Sequence, residues 1–223
     1  SLKLIRDDFL IGFCGYGEFR GEAKYCWAEE MIARIVPVYE EQGQDALKQI
    51  EGSFFCLLVQ ATSFSLISDR VSSKNIFYYK DDKVFIFAPD VGRVIESRLV
   101  PKEKNLDGAK QILASGFFLD DSTLAKGILR FPYGTVVTGD IARSFEVNKG
   151  RYWDISSTEG AVDRITPNLI DEFDTRMQES IYRLADLEER ATVPLSGGLD
   201  SRAIAYYISK IQQLNAVTYD LGE

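Results

Sequence analysis

Residues 195–201 read Leu-Ser-Gly-Gly-Leu-Asp-Ser, and what flanks them decides how the C-terminal part of the chain folds. Residues 192–195 form a short strand-like run, and 201–214 carry apolar residues at helical spacing. A second strand follows at 216–219, so the segment reads as a βαβ unit of a parallel sheet covered by helices. Pro194 offers no N–H to a ladder and is expected at the strand's last position. A glycine pair between strand and helix lets the backbone approach an anion with no Cβ in the way. The first turn of the helix points unpaired N–H groups and the positive end of its dipole at the same place. Ser196 and Ser201 add hydroxyl donors. Asp200 would be repelled by a phosphate, so its expected role is to hold Mg²⁺ bridging the phosphates. Leu195, Ser196, Gly197, Gly198, Asp200 and Ser201 are therefore the candidate phosphate cradle. No lysine follows the glycines, as a G-x-x-x-x-G-K-[ST] loop needs, and Gly12, Gly15 and Gly17 do not make a G-x-G-x-x-G fingerprint. The bland alternative for Gly197-Gly198 is a helix-entry turn with no ligand.

Working back from the loop, Thr166 is a good N-cap with Pro167 at the first helical position. The helix they start should put Leu169, Ile170, Phe173, Met177, Ile181 and Leu184 on one face. The polar stretch at 156–160 has linker character, which divides the chain into residues 1–160 and 161–223. The first part reads mainly as strands, at 9–13, 53–60, 64–69, 76–79, 84–88, 127–129, 135–139 and 141–147. Helices are expected at 28–41, with Pro37 as a kink or an early end, at 44–50 with Gly52 as a stop, and at 107–115. Closely spaced short strands imply an antiparallel meander.

Composition narrows the function classes. A chain of 223 residues holds one large domain or two smaller ones of about 100–150 residues each. A net charge of −8 argues against nucleic acid as a main partner, because phosphate backbones need a positive surface. The longest apolar run, 54–59, has strand length, far from the ~20 residues of a membrane helix. Cys14, Cys26 and Cys56 lack C-x-x-C spacing and cannot all pair, and no secretory signal opens the sequence; both fit reduced thiols in the cytoplasm. The chain contains no histidine, so Ser-His-Asp and Cys-His catalysis and His-ligated zinc are excluded within it.

The string Ser196-Gly-Gly-Leu-Asp-Ser201 matches the S-G-G-x-D-S loop of ATP pyrophosphatases, and the rest of the chain resembles asparagine synthetase. Asp69-Arg70, Lys74 and Ile76-Phe77-Tyr78 look like that family's R-D-R-x-G-x-K-P-L-Y-Y segment. Residues 46–55, ending Gly52-Ser53-Phe54-Phe55, resemble L-x-x-L-x-G-x-F-A-F. Phe87-Ala88-Pro89-Asp90 resembles F-A-S-E, Phe131-Pro132-Tyr133-Gly134 the l-P-P-G turn, and Tyr152-Trp153 the Y-W pair. The resemblance implies an α+β domain of the N-terminal-nucleophile-hydrolase type over residues 1–160, with stacked antiparallel sheets between helices. An α/β parallel-sheet ATP-pyrophosphatase domain then begins at 161–223. It implies ATP and Mg²⁺ as cofactors and a small carboxylate, aspartate or a relative, as substrate. The carboxylate would be adenylated with release of pyrophosphate, and an amine would then displace AMP to leave an amide. Val217, Thr218 and Tyr219 become the candidate adenine wall. Neither nucleic acid nor membrane is implied as a partner, and a homodimer is compatible with the family.

The family's glutaminase chemistry uses an N-terminal cysteine whose α-amino group is the base. This sequence lacks the opening C-G-I and the R-H-R-G-x-D region. Its counterpart of the glutamine-binding N-G-E is Tyr16-Gly17-Glu18, and the acidic residue expected on the next helix falls near Met31. A sequence that starts after the nucleophile explains the first absence; a domain without glutaminase activity also explains Tyr16 and Met31, and is favoured. No catalytic residue is therefore assigned, and the adenylation site would need groups beyond residue 223. Three functions stay open: an asparagine-synthetase-like amide ligase, a β-lactam-synthetase- or peptide-cyclase-like ligase, and a degenerate nucleotide-binding module. Asp69 is expected to be structural. Arg202 could meet a phosphate, an acceptor or a nearby carboxylate.

Overall fold

A computed structural model describes residues 1–7, 9–22, 24–141, 146–155 and 164–218. The chain forms two compact units. One comprises Ser1–Arg20 with Trp27–Ile155, the other Gly21–Cys26 with Ser156–Glu223. The division expected near residue 160 lies outside the described residues.

In the first unit, β1 (Leu2–Arg6), β2 (Phe9–Phe19), β3 (Cys26–Trp27), α1 (Ala28–Gln42), α2 (Gln44–Leu47), β4 (Ile50–Gln60) and β5 (Ser63–Ser68) come first. They are followed by β6 (Phe77–Lys80), β7 (Phe85–Ala88), α3 (Val91–Glu96), α4 (Leu106–Ser115), β8 (Ile128–Arg130), β9 (Thr135–Asp140) and β10 (Glu146–Arg151). A seven-stranded sheet runs β1-β2-β4-β5-β9-β10 with β3 beside β2, and a three-stranded sheet runs β7-β6-β8. The pairings along both sheets are antiparallel.

The strands' period of two explains the layering. Phe9, Ile11 and Phe13 of β2 point to the face that α1 covers with Met31, Ile32, Ile35 and Tyr39, all buried. Phe9 stacks on Tyr39 and Phe13 on Phe54. The opposite face of that sheet presents Phe55, Phe64, Leu66 and Val137, which pack with Ile76, Phe131, Tyr78, Phe85 and Phe87 of the smaller sheet's side. The smaller sheet's far face, with Phe77, Tyr79, Ile86 and Ile128, is closed by Val94 of α3 and by Val100. The order is helix, sheet, sheet, helix, which is the stacked antiparallel arrangement expected from the sequence.

The second unit carries α5 (Pro167–Ala185), β11 (Ala191–Pro194), α6 (Leu199–Ser209) and β12 (Leu214–Val217). The Thr166 hydroxyl accepts from the Leu169 amide at 3.3 Å, with Pro167 in the first turn, as a capped start requires. β11 and β12 pair in parallel on either side of α6, so the βαβ unit is present. Ile181, Val193 and Ile208 form its core, and the Tyr207 hydroxyl donates to Asp174, tying α6 to α5.

Several boundaries differ from expectation. The helix expected to run to residue 50 stops at Leu47, because Ile50 is taken into β4, buried and paired with Phe19. Gly52 is accordingly a strand residue, not a stop. Pro37 neither ends nor caps α1; it sits on the exposed side, and Ala33, whose carbonyl it deprives of a donor, is exposed as well. The strand expected at 141–147 is replaced by β9 ending at Asp140 and β10 starting at Glu146, with 142–145 outside the described residues. The loop helix starts at Leu199 and ends at Ser209, two residues earlier at its start and five earlier at its end than its apolar spacing suggests. The apolar face of α5 is buried only near its end: Ile181 is covered, whereas Ile170 and Phe173 are 57% and 65% exposed. No described helix is long and apolar enough to cross a membrane.

Candidate functional site

The loop at 195–201 leaves β11 at its C-terminal end, where ligands of open α/β sheets bind. Pro194 is the last residue of β11 and stands opposite Val217, and the next amide, Leu195, donates to the Val217 carbonyl at 2.8 Å. The proline's missing donor therefore falls where the ladder is about to end. That bond also sets the candidate wall residue Val217 beside the loop; Val217 and Thr218 are exposed. Tyr219 lies outside the described residues.

From Leu195 the chain turns through a network of its own hydroxyls. Ser196 and Ser201 oxygens lie 2.9 Å apart, and the Ser196 amide donates to Ser201 Oγ at 3.1 Å. The Gly198 amide donates to Ser196 Oγ at 3.2 Å, and Gly198 is the N-cap residue of α6. Leu199 and Asp200 follow as the first helical residues, both exposed. Their amides are among those no intrahelical carbonyl can reach.

Neither Gly197 nor Gly198 has a positive φ. A Cβ at Gly197 would meet nothing within 4 Å, and one at Gly198 only Ser196 Oγ at 3.3 Å. The fold itself thus makes no demand for glycine at 197. What the missing side chain leaves is open space over the loop amides, the shape an anion needs.

Asp200 is the carboxylate of this loop, and no group of three or more Cys, Asp or Glu among the described residues is gathered to hold a metal. A single exposed carboxylate fits a Mg²⁺ whose remaining oxygen ligands are phosphates and water, not one caged by protein. The donor set, hydroxyls and amides around open space, fits a polyphosphate. Arg202 resolves differently from either expectation: it reaches back to the loop's own carbonyls, Gly198 at 3.2 Å and Gly197 at 3.3 Å. The only hint of this in the sequence is its spacing, four residues after the N-cap.

In the first unit, Tyr16 occupies β2 opposite Ser53 and hydrogen-bonds with it, and its ring meets Trp27 edge-on at 5.8 Å. Burial above all pushes its phenol above the ordinary value. Met31 is fully buried in α1, within reach of Gly17. Neither offers a carboxamide or a carboxylate to a ligand. The family-like segments converge on Asp69 instead. Its buried carboxylate accepts from the amides of Phe54, Val71 and Ser73 at 2.9–3.1 Å and from the Ser73 hydroxyl. The Asp69 carbonyl takes the Gly134 amide at 2.9 Å, the Gly134 carbonyl takes the Tyr152 amide at 2.8 Å, and the Tyr152 hydroxyl returns to the Ser68 carbonyl at 2.8 Å. Arg70 pairs with Glu51 and lies over the Trp153 ring at 5.9 Å. Asp69 is structural, as expected.

Comparison with known proteins identifies the family of the first unit. Residues 29–153 match the family model of the glutamine amidotransferase domain. The chain is 25% identical over 198 residues to asparagine synthetase [glutamine-hydrolyzing] 2 of Bacillus subtilis, covering 82% of the chain and 26% of that protein. Among solved structures it is similar to the glutamine phosphoribosylpyrophosphate amidotransferase of B. subtilis complexed with ADP and GMP, at 10% identity and a TM-score of 0.39 over 100% of this chain and 48% of that one. A structure of the allosteric regulatory enzyme of purine biosynthesis matches at 11% identity and a TM-score of 0.38, over 98% of this chain and 46% of the other. The chain thus spans about a quarter of the asparagine synthetase and about half of each solved structure. Its family-model match covers more than half of its residues, and the chain belongs to the glutamine amidotransferase domain family, with its resemblance to asparagine synthetase supported along most of its length.

Proposed function

We propose that this chain belongs to an AMP-forming, asparagine-synthetase-like amide ligase of the cytoplasm. In this reading residues 1–160 are a glutaminase-like domain without glutaminase activity, and 161–223 open the ATP-pyrophosphatase domain. The observation that carries it is the loop at 195–201, with glycine at a position where the fold leaves open space, in a turn built from amides and hydroxyls. A carboxylate oxygen of the substrate attacks the α-phosphorus of ATP, the bond to the β-phosphate oxygen breaks, and pyrophosphate leaves. An amine then attacks the acyl carbon, AMP departs, and the amine's proton is released. The amides of Leu199 and Asp200 and the hydroxyls of Ser196 and Ser201 hold the departing pyrophosphate. Asp200 holds Mg²⁺, which offsets phosphate charge, and Val217 and Thr218 border the adenine.

The test is pyrophosphate release by the full-length protein with Mg·ATP, across aspartate and larger β-amino acids. Release with one of them is expected. No release with any carboxylate, while ATP still binds, sinks the proposal. A second reading, an acceptor of the β-lactam-synthetase or peptide-cyclase kind, is favoured by Tyr16 and Met31, which put neither a carboxamide nor a carboxylate where the family's glutamine-binding groups would stand. Release with a larger β-amino acid or a peptide, and not with aspartate, selects it.

A further inference from the structure

Arg202 stands in the first turn of α6 and donates through two arms of its guanidinium to the loop it follows, Nε to the Gly198 carbonyl and Nη2 to the Gly197 carbonyl. A trans peptide is planar, with its C=O and N–H pointing opposite ways, and the described chain has no cis bonds. Holding these two carbonyls on the guanidinium side turns the N–H groups of Gly198 and Leu199 to the other side. There the Gly198 amide meets Ser196 Oγ at 3.2 Å, and the Leu199 amide has no intrahelical carbonyl to reach. The Gly198 carbonyl is also held as the N-cap's, by the first turn of α6 and by the Ser201 hydroxyl at 3.3 Å, so the guanidinium's own hold falls on Gly197, where no neighbouring atom restrains the α-carbon's open side. A rigid fork suits two adjacent carbonyls; a lysine supplies the same charge without the fork.

We infer that Arg202 is a positioning residue of the phosphate loop: it fixes the peptide plane at Gly197, and with it the Gly198 amide and the Ser196 hydroxyl that this amide meets, in place for the polyphosphate before ATP arrives. It acts through the backbone and does not touch phosphate. The inference rests on the loop at 195–201 being the ATP site. Preorganisation of this kind strengthens binding by removing the entropy of ordering the loop on contact.

The experiment measures binding of Mg·ATP, Mg·pyrophosphate and adenosine to the full-length protein and to its Arg202→Lys and Arg202→Met variants. Arg202 is exposed, so neither change opens the core. Both variants should bind Mg·ATP and Mg·pyrophosphate about tenfold more weakly, roughly the cost of ordering one backbone residue on binding. Adenosine affinity should stay unchanged, and exchange of the Gly198 amide, which Ser196 Oγ holds, should quicken in both. Wild-type phosphate affinity in the lysine variant alone would mean a direct charge contact and overturn the inference. Quicker exchange with unchanged affinity would overturn it too, leaving Arg202 a structural role only. If the wild-type protein binds neither Mg·ATP nor Mg·pyrophosphate while Arg202 still protects the Gly198 amide, the ATP-site reading has failed, and the positioning role falls with it.

Discussion

The hydroxyl oxygens of Ser196 and Ser201 lie 2.9 Å apart, and Ser201 Oγ also accepts from the Ser196 amide. The two ends of the proposed phosphate loop are thereby closed on each other across the glycine pair. Ser201→Ala removes both bonds and one hydroxyl donor for phosphate. The site is exposed, so water replaces the lost partners and stability should stay within about 0.5 kcal/mol. Nucleotide handling should not: kcat/KM for ATP in the pyrophosphate-release assay should fall about tenfold or more, as expected for losing a hydrogen bond to a charged group. Unchanged kcat/KM would remove Ser201 from the site.

Asp69 makes the opposite case, a carboxylate whose work is all architectural. It is 1% exposed and gathers the amides of Phe54, Val71 and Ser73. Asp69→Ala strands the buried Phe54 amide at about 1–3 kcal/mol and gives up the partly buried bonds from Val71 and Ser73, so the first unit should lose about 2 kcal/mol or more. Asp69→Asn keeps the shape but aims an NH₂ at donors, and should cost nearly as much. Urea unfolding followed by tryptophan fluorescence checks both. Midpoints within error of wild type would show that the loop at 69–73 is held by something else.

The contrast between Asp69 and Arg202 shows what the sequence carried. Local signals told the antiparallel part from the βαβ part: the polar stretch at 156–160, the apolar run through Phe9, Ile11 and Phe13, and the capped start at Thr166. The loop was legible because its seven residues sit between a strand and a helix. Ile50 was misplaced in a helix since nothing local tells that Phe19 will recruit it into β4. Nor does spacing say that half of the α5 face stays open at Ile170 and Phe173. That depends on which elements lie against it. Arg202's bonds to Gly197 and Gly198 are likewise a matter of side-chain direction, which a string of residues does not encode.

Met31 bears on whether glutamine can be used. It is fully buried, beneath Gly17, where the resemblance calls for an acidic side chain. Glutamine hydrolysis by the full-length protein should stay at background. Met31→Asp should not restore it, even with Tyr16→Asn, because an unpaired carboxylate in that core costs several kcal/mol. The double variant should therefore unfold at lower urea than wild type. Ammonia release above background from the wild-type protein would refute the loss of glutaminase function.

Tyr152 gives the chain a marked response to alkali. Burial is the main cause that pushes its phenol well above the ordinary value, and Asp69 nearby pushes the same way. Tyr16, Tyr39 and Tyr78 are also raised, each chiefly by burial, and so is the fully buried Cys56 thiol. A raised folded-state pKa means that the native state holds its proton where the unfolded state has released it. That contribution is complete below the unfolded values, about 8.5 for cysteine and 10 for tyrosine, and is lost as pH rises through the folded ones. Urea midpoints should therefore be level through neutrality and fall progressively above about pH 9. Tyr152→Phe loses the bond to the Ser68 carbonyl and should be less stable than wild type at pH 7 by about 1 kcal/mol. It has one fewer proton to lose, so the gap should narrow as pH passes 10. A gap that stays constant to pH 11 would show that Tyr152 ionises equally easily folded and unfolded.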